Sequence, residues 1–82
     1  MRSFRISNHA RDRYNERRVK GEYPATIEVA LQKGEYKGLI TGRTKIVAYK
    51  ELVFLIDDKN NVVKTCLPYG AFIKLKRERK IR

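Results

Sequence analysis

The first part of the chain carries apolar side chains at the spacing of a helix. Ile6, Ala10 and Tyr14 follow one another at intervals of four residues, which places them on one face of a helix. Ser7 lies at the start of this stretch, and its side-chain oxygen can accept hydrogen bonds from the backbone N–H groups of a first turn. The pattern predicts a helix from about Asn8 to Arg18.

A second helix is predicted to begin near Pro24, because the missing N–H group of proline is harmless in a first turn. Apolar residues then recur at helical spacing, at Ile27, Ala30 and Leu31, as in an amphipathic helix. A lysine followed by a glycine at 33–34 indicates a basic last turn and a stop. We interpret this element as a short structural helix.

After residue 35 the apolar positions take an extended spacing, and β-branched and aromatic residues become frequent. The predicted strands cover residues 36–40, 44–49, 52–56, 62–67 and, as a last short strand, 71–76. A turn is predicted at residues 41–43. The uninterrupted apolar run at 52–56 favours a central strand that is buried on both sides.

Two helices followed by consecutive strands predict an α+β fold, in which two N-terminal helices pack on a four- to five-stranded antiparallel sheet. In the strand at 62–67, alternation places Val63, Thr65 and Leu67 on one side, which we predict to face the helices. Residues 1–76 are predicted to form a single domain, and residues 77–82 a basic C-terminal tail.

Charge adds a prediction about partners. The 82 residues include 20 Lys and Arg against 9 Asp and Glu, for a formal net charge of +11. The like charges repel one another in the compact state, and this excess suggests a polyanionic partner. RNA or another nucleic acid is the leading candidate, and an acidic protein is the alternative.

Segment composition and cysteine content bear on the location of the chain. No segment approaches the ~20 apolar residues of a membrane span, and none resembles the apolar core of a signal peptide. One cysteine cannot form an intramolecular disulfide, and with a single histidine it cannot complete a Cys/His metal site. We therefore predict a cytoplasmic protein that does not bind membranes, in which Cys66 is a small buried hydrophobe.

Candidate chemistry concentrates on the first predicted helix. His9, Arg13 and Arg17 follow one another at intervals of four residues. The two guanidinium groups can clamp a phosphate and stabilise the extra charge of a pentacoordinate transition state, and the imidazole can accept a proton near pH 7. These are the ingredients of metal-independent RNA cleavage by the ribose 2′-hydroxyl. No carboxylate cluster indicates a two-metal nuclease, so neither a metal nor a cofactor is predicted.

Further basic residues are predicted to add affinity for RNA through their charge. They lie around the first helix and near the C-terminus: Arg11, Arg18, Lys20, Lys74, Lys76, Arg77, Arg79, Lys80 and Arg82. A structural interpretation of the first helix stays open, because Glu16 can pair with Arg13 or Lys20 and the arginines can form a solvated face.

About residues 4–67 resemble a family of small, mostly uncharacterised bacterial and phage domains. The resemblance lies in the run ISNHARDRYNER from Ile6 to Arg17, the helix end LQKG at 31–34 and the strand segment VVKT at 62–65. That family carries a His-Ala-x-x-Arg-x-x-Glu-Arg motif and is grouped with the barnase, EndoU, colicin-D and RelE superfamily of RNases and toxins. The resemblance implies two helices on an antiparallel sheet, RNA as substrate and cleavage without metal. Carried over residue by residue, it implies catalytic roles for His9, Arg13 and Arg17, with Thr65 as a candidate substrate contact.

The leading hypothesis is an RNA-directed domain of the metal-independent, toxin-type endoribonuclease class, in which His9 acts as general base or acid. A different class is a non-catalytic nucleic-acid-binding or regulatory protein that uses the same basic face. A third is a small phage-type protein that docks an acidic protein partner such as an antitoxin. Tyr69, near the late strand, is a candidate acid or stacking group without a motif match.

Overall fold

The structure, a computed structural model, describes residues 4–40 and 43–79, and these form three helices and a five-stranded mixed sheet. In chain order the elements are β1 (Arg5–Ile6), α1 (Asn8–Arg18), α2 (Ile27–Lys33), β2 (Glu35–Ile40), β3 (Thr44–Tyr49), β4 (Leu52–Asp57), β5 (Val62–Pro68) and α3 (Tyr69–Arg79). The strands lie in the order β1-β5-β4-β3-β2. The α+β class is confirmed.

Strands β2 to β5 confirm the four predicted strands before residue 70 to within one residue at either end. They pair antiparallel, as predicted. Strand β1 corrects the prediction of a purely antiparallel sheet, because Arg5 and Ile6 pair in parallel with Val62 and Val63. A strand of two residues is too short to show an alternation, so the sequence pattern contains no signal for it. Residues 41 and 42 of the predicted turn lie outside the described residues.

Helix α1 has the bounds that its spacing predicted. The Ser7 hydroxyl accepts a hydrogen bond from the Ala10 N–H at 3.1 Å and donates one to the Lys64 carbonyl at 3.1 Å, so the cap also ties the helix to β5. Ala10 and Tyr14 are fully buried. The Tyr14 hydroxyl donates to the Pro24 carbonyl at 2.6 Å. The predicted apolar row therefore holds α1 against the sheet.

Helix α2 begins at Ile27, which corrects the predicted start near Pro24. The Thr26 hydroxyl accepts a hydrogen bond from the Val29 N–H at 3.4 Å and caps the first turn. Pro24 belongs to the connection from α1, where its carbonyl accepts the hydrogen bond from Tyr14. The helix starts where a capping side chain directly precedes the apolar spacing, and not at the first residue that a helix tolerates.

Helices cover both faces of the sheet. The larger apolar cluster lies between the sheet and helices α1 and α2, and contains Ala10, Tyr14, Ile27, Ala30, Leu31, Val47, Leu52, Phe54, Ile56, Val63 and Cys66. The smaller cluster lies on the other face, under α3, and contains Ile46, Val53, Leu55 and Phe72. Successive residues of β4 enter alternate clusters, so the central strand buried on both sides is confirmed.

Residues 71–76 form part of helix α3, so the prediction of a last strand is wrong. Phe72 is buried and, with the partly buried Ile73, packs in the smaller cluster. The alternation of Ile73 and Leu75 with lysines suits a strand, but apolar residues at 72, 73 and 75 equally fit one helix face. Packing against the second sheet face selects the helix, which continues through residues 77–79.

A bulge in β5 overturns the predicted facing of this strand. Leu55 pairs with Thr65, and Ile56 pairs with Val63, so Lys64 is an extra residue between the two pairs. Such a residue reverses the alternation on its strand. Val63 therefore faces α1, but Leu67 packs against the smaller cluster, and Cys66 takes its place on the α1 side.

Cys66 is buried, as predicted, and burial raises the pKa of its thiol from 9.0 to about 12, partly opposed by the nearby Arg17 guanidinium. Below pH 9 the thiol is neutral in the folded and unfolded chain. Between pH 9 and 12 mainly the unfolded chain loses this proton, so folding stability falls as pH rises. We expect urea midpoints to fall more steeply from pH 9 to pH 11 in the wild type than in Cys66→Ala. Equal slopes in the two proteins would contradict this assignment.

Candidate nucleic-acid interface

The predicted row of His9, Arg13 and Arg17 lies on one flank of α1. Each step of four residues advances about 40° around a helix, so the row turns from solvent toward the buried stripe of Ala10 and Tyr14. His9 and Arg13 are exposed, and Arg17 is half-buried. The structure thus brings these three predicted residues together, with the innermost guanidinium at the sheet.

Arg17 has the most unusual environment of the row. Its Nε atom is buried and has no hydrogen-bond partner, and among the side chains that the structure describes it is the only buried nitrogen or oxygen in this condition. Its guanidinium lies near enough to Cys66 on β5 to favour the thiolate form of that side chain. A buried donor without a partner costs about 1–3 kcal/mol. The free protein therefore carries this cost at the inner end of the row.

The outer two members of the row are accessible. Arg13 forms an ion pair with Glu16, as the sequence suggested, at 3.4 Å between exposed side chains. Such pairs contribute at most about 1 kcal/mol and exchange readily with other anions. The exposed His9 makes no hydrogen bond or ion pair with any part of the chain that the structure describes. Both side chains are available to a ligand.

On the opposite flank of α1, two arginines already bind other side chains of the protein. Arg11 binds Glu28 of α2 at 3.1 Å, and this hydrogen bond lowers the pKa of the Glu28 carboxyl. The Arg18 Nε donates to the Asn15 amide oxygen at 3.3 Å. Lys20 is exposed after the helix ends. Arg11 and Arg18, predicted to bind RNA, are therefore engaged in contacts within the helical layer.

Thr65 lies apart from the row. It pairs across the sheet with Leu55, whose side chain enters the smaller cluster, whereas the neighbouring Cys66 faces α1. The bulge at Lys64 produces this placement. The Lys64 amino group donates to the Thr44 hydroxyl at 3.1 Å. The structure does not bring Thr65 together with His9, because the two lie on opposite faces of the sheet.

The predicted basic residues near the C-terminus belong to a different face from the row. Helix α3 carries them on the side of the sheet opposite α1, and the described side chains of Lys74 and Arg77 are exposed. Lys76 and Arg79 also lie on α3. Lys80 and Arg82 lie outside the described residues. The positive charge is thus spread over both helical layers.

Sequence reasoning missed two features of this surface. The orphaned Nε of Arg17 depends on packing between α1 and β5, which no local pattern reveals. Lys50 at the β3–β4 turn was not singled out, although its amino group lies 5.6 Å and 5.5 Å from the ring centres of Tyr23 and Tyr49. A lysine and two tyrosines in separate elements gave no motif, so only the fold could associate them.

Comparison with protein-family models, curated proteins and solved structures finds no match to this chain. Among the described residues, no three His, Cys, Asp or Glu side chains are grouped to hold a metal ion. No helix in the same part of the chain has the length and apolar content needed to cross a membrane. The site therefore has to be interpreted from its own geometry.

Proposed function

We propose that this protein binds RNA, and that the row of His9, Arg13 and Arg17 contacts its phosphates. The observation that carries the proposal is the buried, unpartnered Nε of Arg17 in a chain with a net charge of +11. A guanidinium offers five donors in a planar fork that matches phosphate oxygens. A phosphate at Arg17 would bind this fork, and a shift of the half-buried side chain toward it would give the orphaned Nε its partner.

The other members of the row extend this contact along a strand of RNA. Arg13 can exchange the weak ion pair with Glu16 for a second phosphate, because both side chains are in water. Within the described residues, His9 has no competing hydrogen bond and lies one turn farther out. Residues 6–17 resemble the motif of the RNase and toxin domains, and this supports RNA as the polyanion.

The free imidazole of His9 favours a catalytic form of the same proposal. His9 would take the proton from a ribose 2′-hydroxyl, whose oxygen then bonds to the adjacent phosphorus atom. The bond to the 5′-oxygen breaks, and that oxygen takes a proton from solvent, which leaves a 2′,3′-cyclic phosphate. Arg13 and Arg17 would stabilise the added negative charge on the phosphate oxygens. Thr65 has no part in this step.

The test is the affinity of the full chain for a fluorescent single-stranded RNA in the presence of EDTA. We expect affinity to fall with salt, with a log–log slope of about −0.7 for each phosphate contacted. Arg13→Gln should weaken binding more than Arg11→Gln, although both remove one charge from α1. Equal losses would show that only summed charge matters, and would remove the row as the binding site.

The same RNA, labelled at its 5′ end, tests the catalytic form. Wild-type protein with EDTA should give fragments that end in a 2′,3′-cyclic phosphate, and His9→Gln should bind RNA but give none. Product from His9→Gln at the wild-type rate would exclude His9 as the base. If no RNA binds and an equimolar protein complex survives nuclease treatment, the partner is an acidic protein and the RNA proposal fails.

A further inference from the structure

A surface groove of ≈ 410 Å³ lies between the β3–β4 turn and the start of α3, lined by Lys50, Glu51, Pro68, Tyr69 and Gly70. Its volume is within the range of about 300–1,000 Å³ that holds small molecules. The groove is separate from the row on α1, and nothing in the proposed phosphate contacts uses it. It combines an aromatic ring, a fixed cation and an accessible stretch of backbone.

Tyr69 gives the groove an exposed ring on a rigid support. The residue is 54% exposed although it is the first residue of α3 and its N–H donates to the Glu51 carbonyl at 2.7 Å. Its ring contacts the ring of the buried Phe72, with centroids 6.5 Å apart. A tyrosine ring that packs against the protein and is exposed to solvent can serve as a platform on which nucleic-acid bases stack.

Lys50 forms part of the groove wall. Its amino group donates to the Glu22 carbonyl at 2.6 Å and lies over the rings of Tyr23 and Tyr49. An ammonium group has three donors, so hydrogen-bonding capacity remains for a ligand. The groove therefore combines the exposed Tyr69 ring with an exposed lysine in its wall.

Gly70 leaves the groove open beside Tyr69. Apart from its two chain neighbours and the backbone of its own helix, a Cβ built at Gly70 would meet no heavy atom of the protein within 4 Å. A methyl group at this position would therefore add bulk to the lining of the groove without a clash with another element. Because Ala is also a better helix former than Gly, Gly70→Ala can narrow the groove without disturbing α3.

Tyr69 of the groove is close in sequence to Cys66, the residue of β5 that Arg17 approaches. Arg17 lies near Cys66 of β5, and Tyr69 follows Cys66 by three residues in sequence. Three residues span at most about 11 Å. The Cα atom of Tyr69 therefore lies within about 11 Å of that of Cys66, at the end of β5 where the chain passes to the α3 side of the sheet.

We infer that the groove holds an unstacked base of a single-stranded RNA, with the base on the Tyr69 ring and a neighbouring phosphate at Lys50. The inference rests on the proposed function and extends it, because it makes the substrate single-stranded and gives the protein a contact to a base. Affinity then depends on bases as well as on phosphates.

The experiment compares a short single-stranded RNA with an abasic oligonucleotide of the same length and number of phosphates. Wild type should bind the base-containing strand about 5- to 150-fold more tightly, the range of one stacked base. Tyr69→Ala and Gly70→Ala should each lose most of this preference and keep their affinity for the abasic strand. Tyr69→Phe keeps the ring and is the matched control that should retain the preference.

The outcomes separate this inference from the proposed function. If wild type binds both strands equally well in a salt-dependent way, the groove inference fails and phosphate binding stands. If Tyr69→Ala loses the preference but Gly70→Ala does not, the base lies outside the groove, and the inference also fails. If wild type binds neither strand, the proposed function fails as well.

Discussion

Replacing Phe54 by alanine should lower the free energy of unfolding by about 3–5 kcal/mol, the usual cost of removing a fully buried phenylalanine. Phe54 is 0% exposed on the central strand β4, and its ring lies 6.1 Å from that of Tyr14. It therefore joins the sheet to α1. A chain of 82 residues has a total stability of about 4–12 kcal/mol, so this variant should lose at least a quarter of it.

Urea unfolding followed by circular dichroism measures this loss. Phe54→Leu keeps an apolar side chain and should cost less than half as much as Phe54→Ala, because it leaves a smaller cavity. Phe72→Ala tests the other layer and should cost less than Phe54→Ala, since the cluster under α3 is smaller. A loss below about 1 kcal/mol for Phe54→Ala would mean that packing between α1 and the sheet contributes little to the free energy of unfolding.

Most of the fold was predictable because its elements follow local rules. Helix α1 was placed correctly by one capping side chain and one apolar row, and β4 by an apolar run. The misassigned segment at 71–76 is compatible with either spacing, and only the uncovered second face of the sheet decides between them. Strand β1 is missed because its two residues are stabilised by a parallel partner 57 positions away in sequence, Arg5 with Val62.

The sequence predicted which residues of the site share one flank of α1, but not how deeply each side chain is buried. Spacing alone aligned His9, Arg13 and Arg17, since residues four apart are neighbours on any helix. The alternation rule failed at Thr65, because one extra residue, Lys64, moves every later side chain of β5 to the other face. The burial of the Arg17 Nε depends on how far α1 sinks onto β5, which is a property of tertiary packing.

Replacing Arg17 by methionine should stabilise the free protein and weaken RNA binding. Methionine has a similar unbranched length and no donor, so the variant removes the penalty of a buried, unpartnered Nε. We expect a gain of about 1 kcal/mol in unfolding free energy, and a melting temperature higher by roughly 4–8 °C. Loss of a charge-assisted hydrogen bond should weaken RNA binding about 10- to 100-fold.

Arg18→Met is the matched control for the expected gain in stability and loss of RNA affinity in Arg17→Met. Arg18 is next in the chain, is also half-buried and carries the same charge, but its Nε is satisfied by Asn15. Its replacement should not raise the melting temperature and should weaken RNA binding less. Thermal unfolding without RNA and RNA titration of both variants measure the two effects. If Arg17→Met is less stable and binds RNA normally, Arg17 serves packing. If the variant is more stable and binds RNA more weakly, Arg17 serves the ligand at a cost to the stability of the free protein.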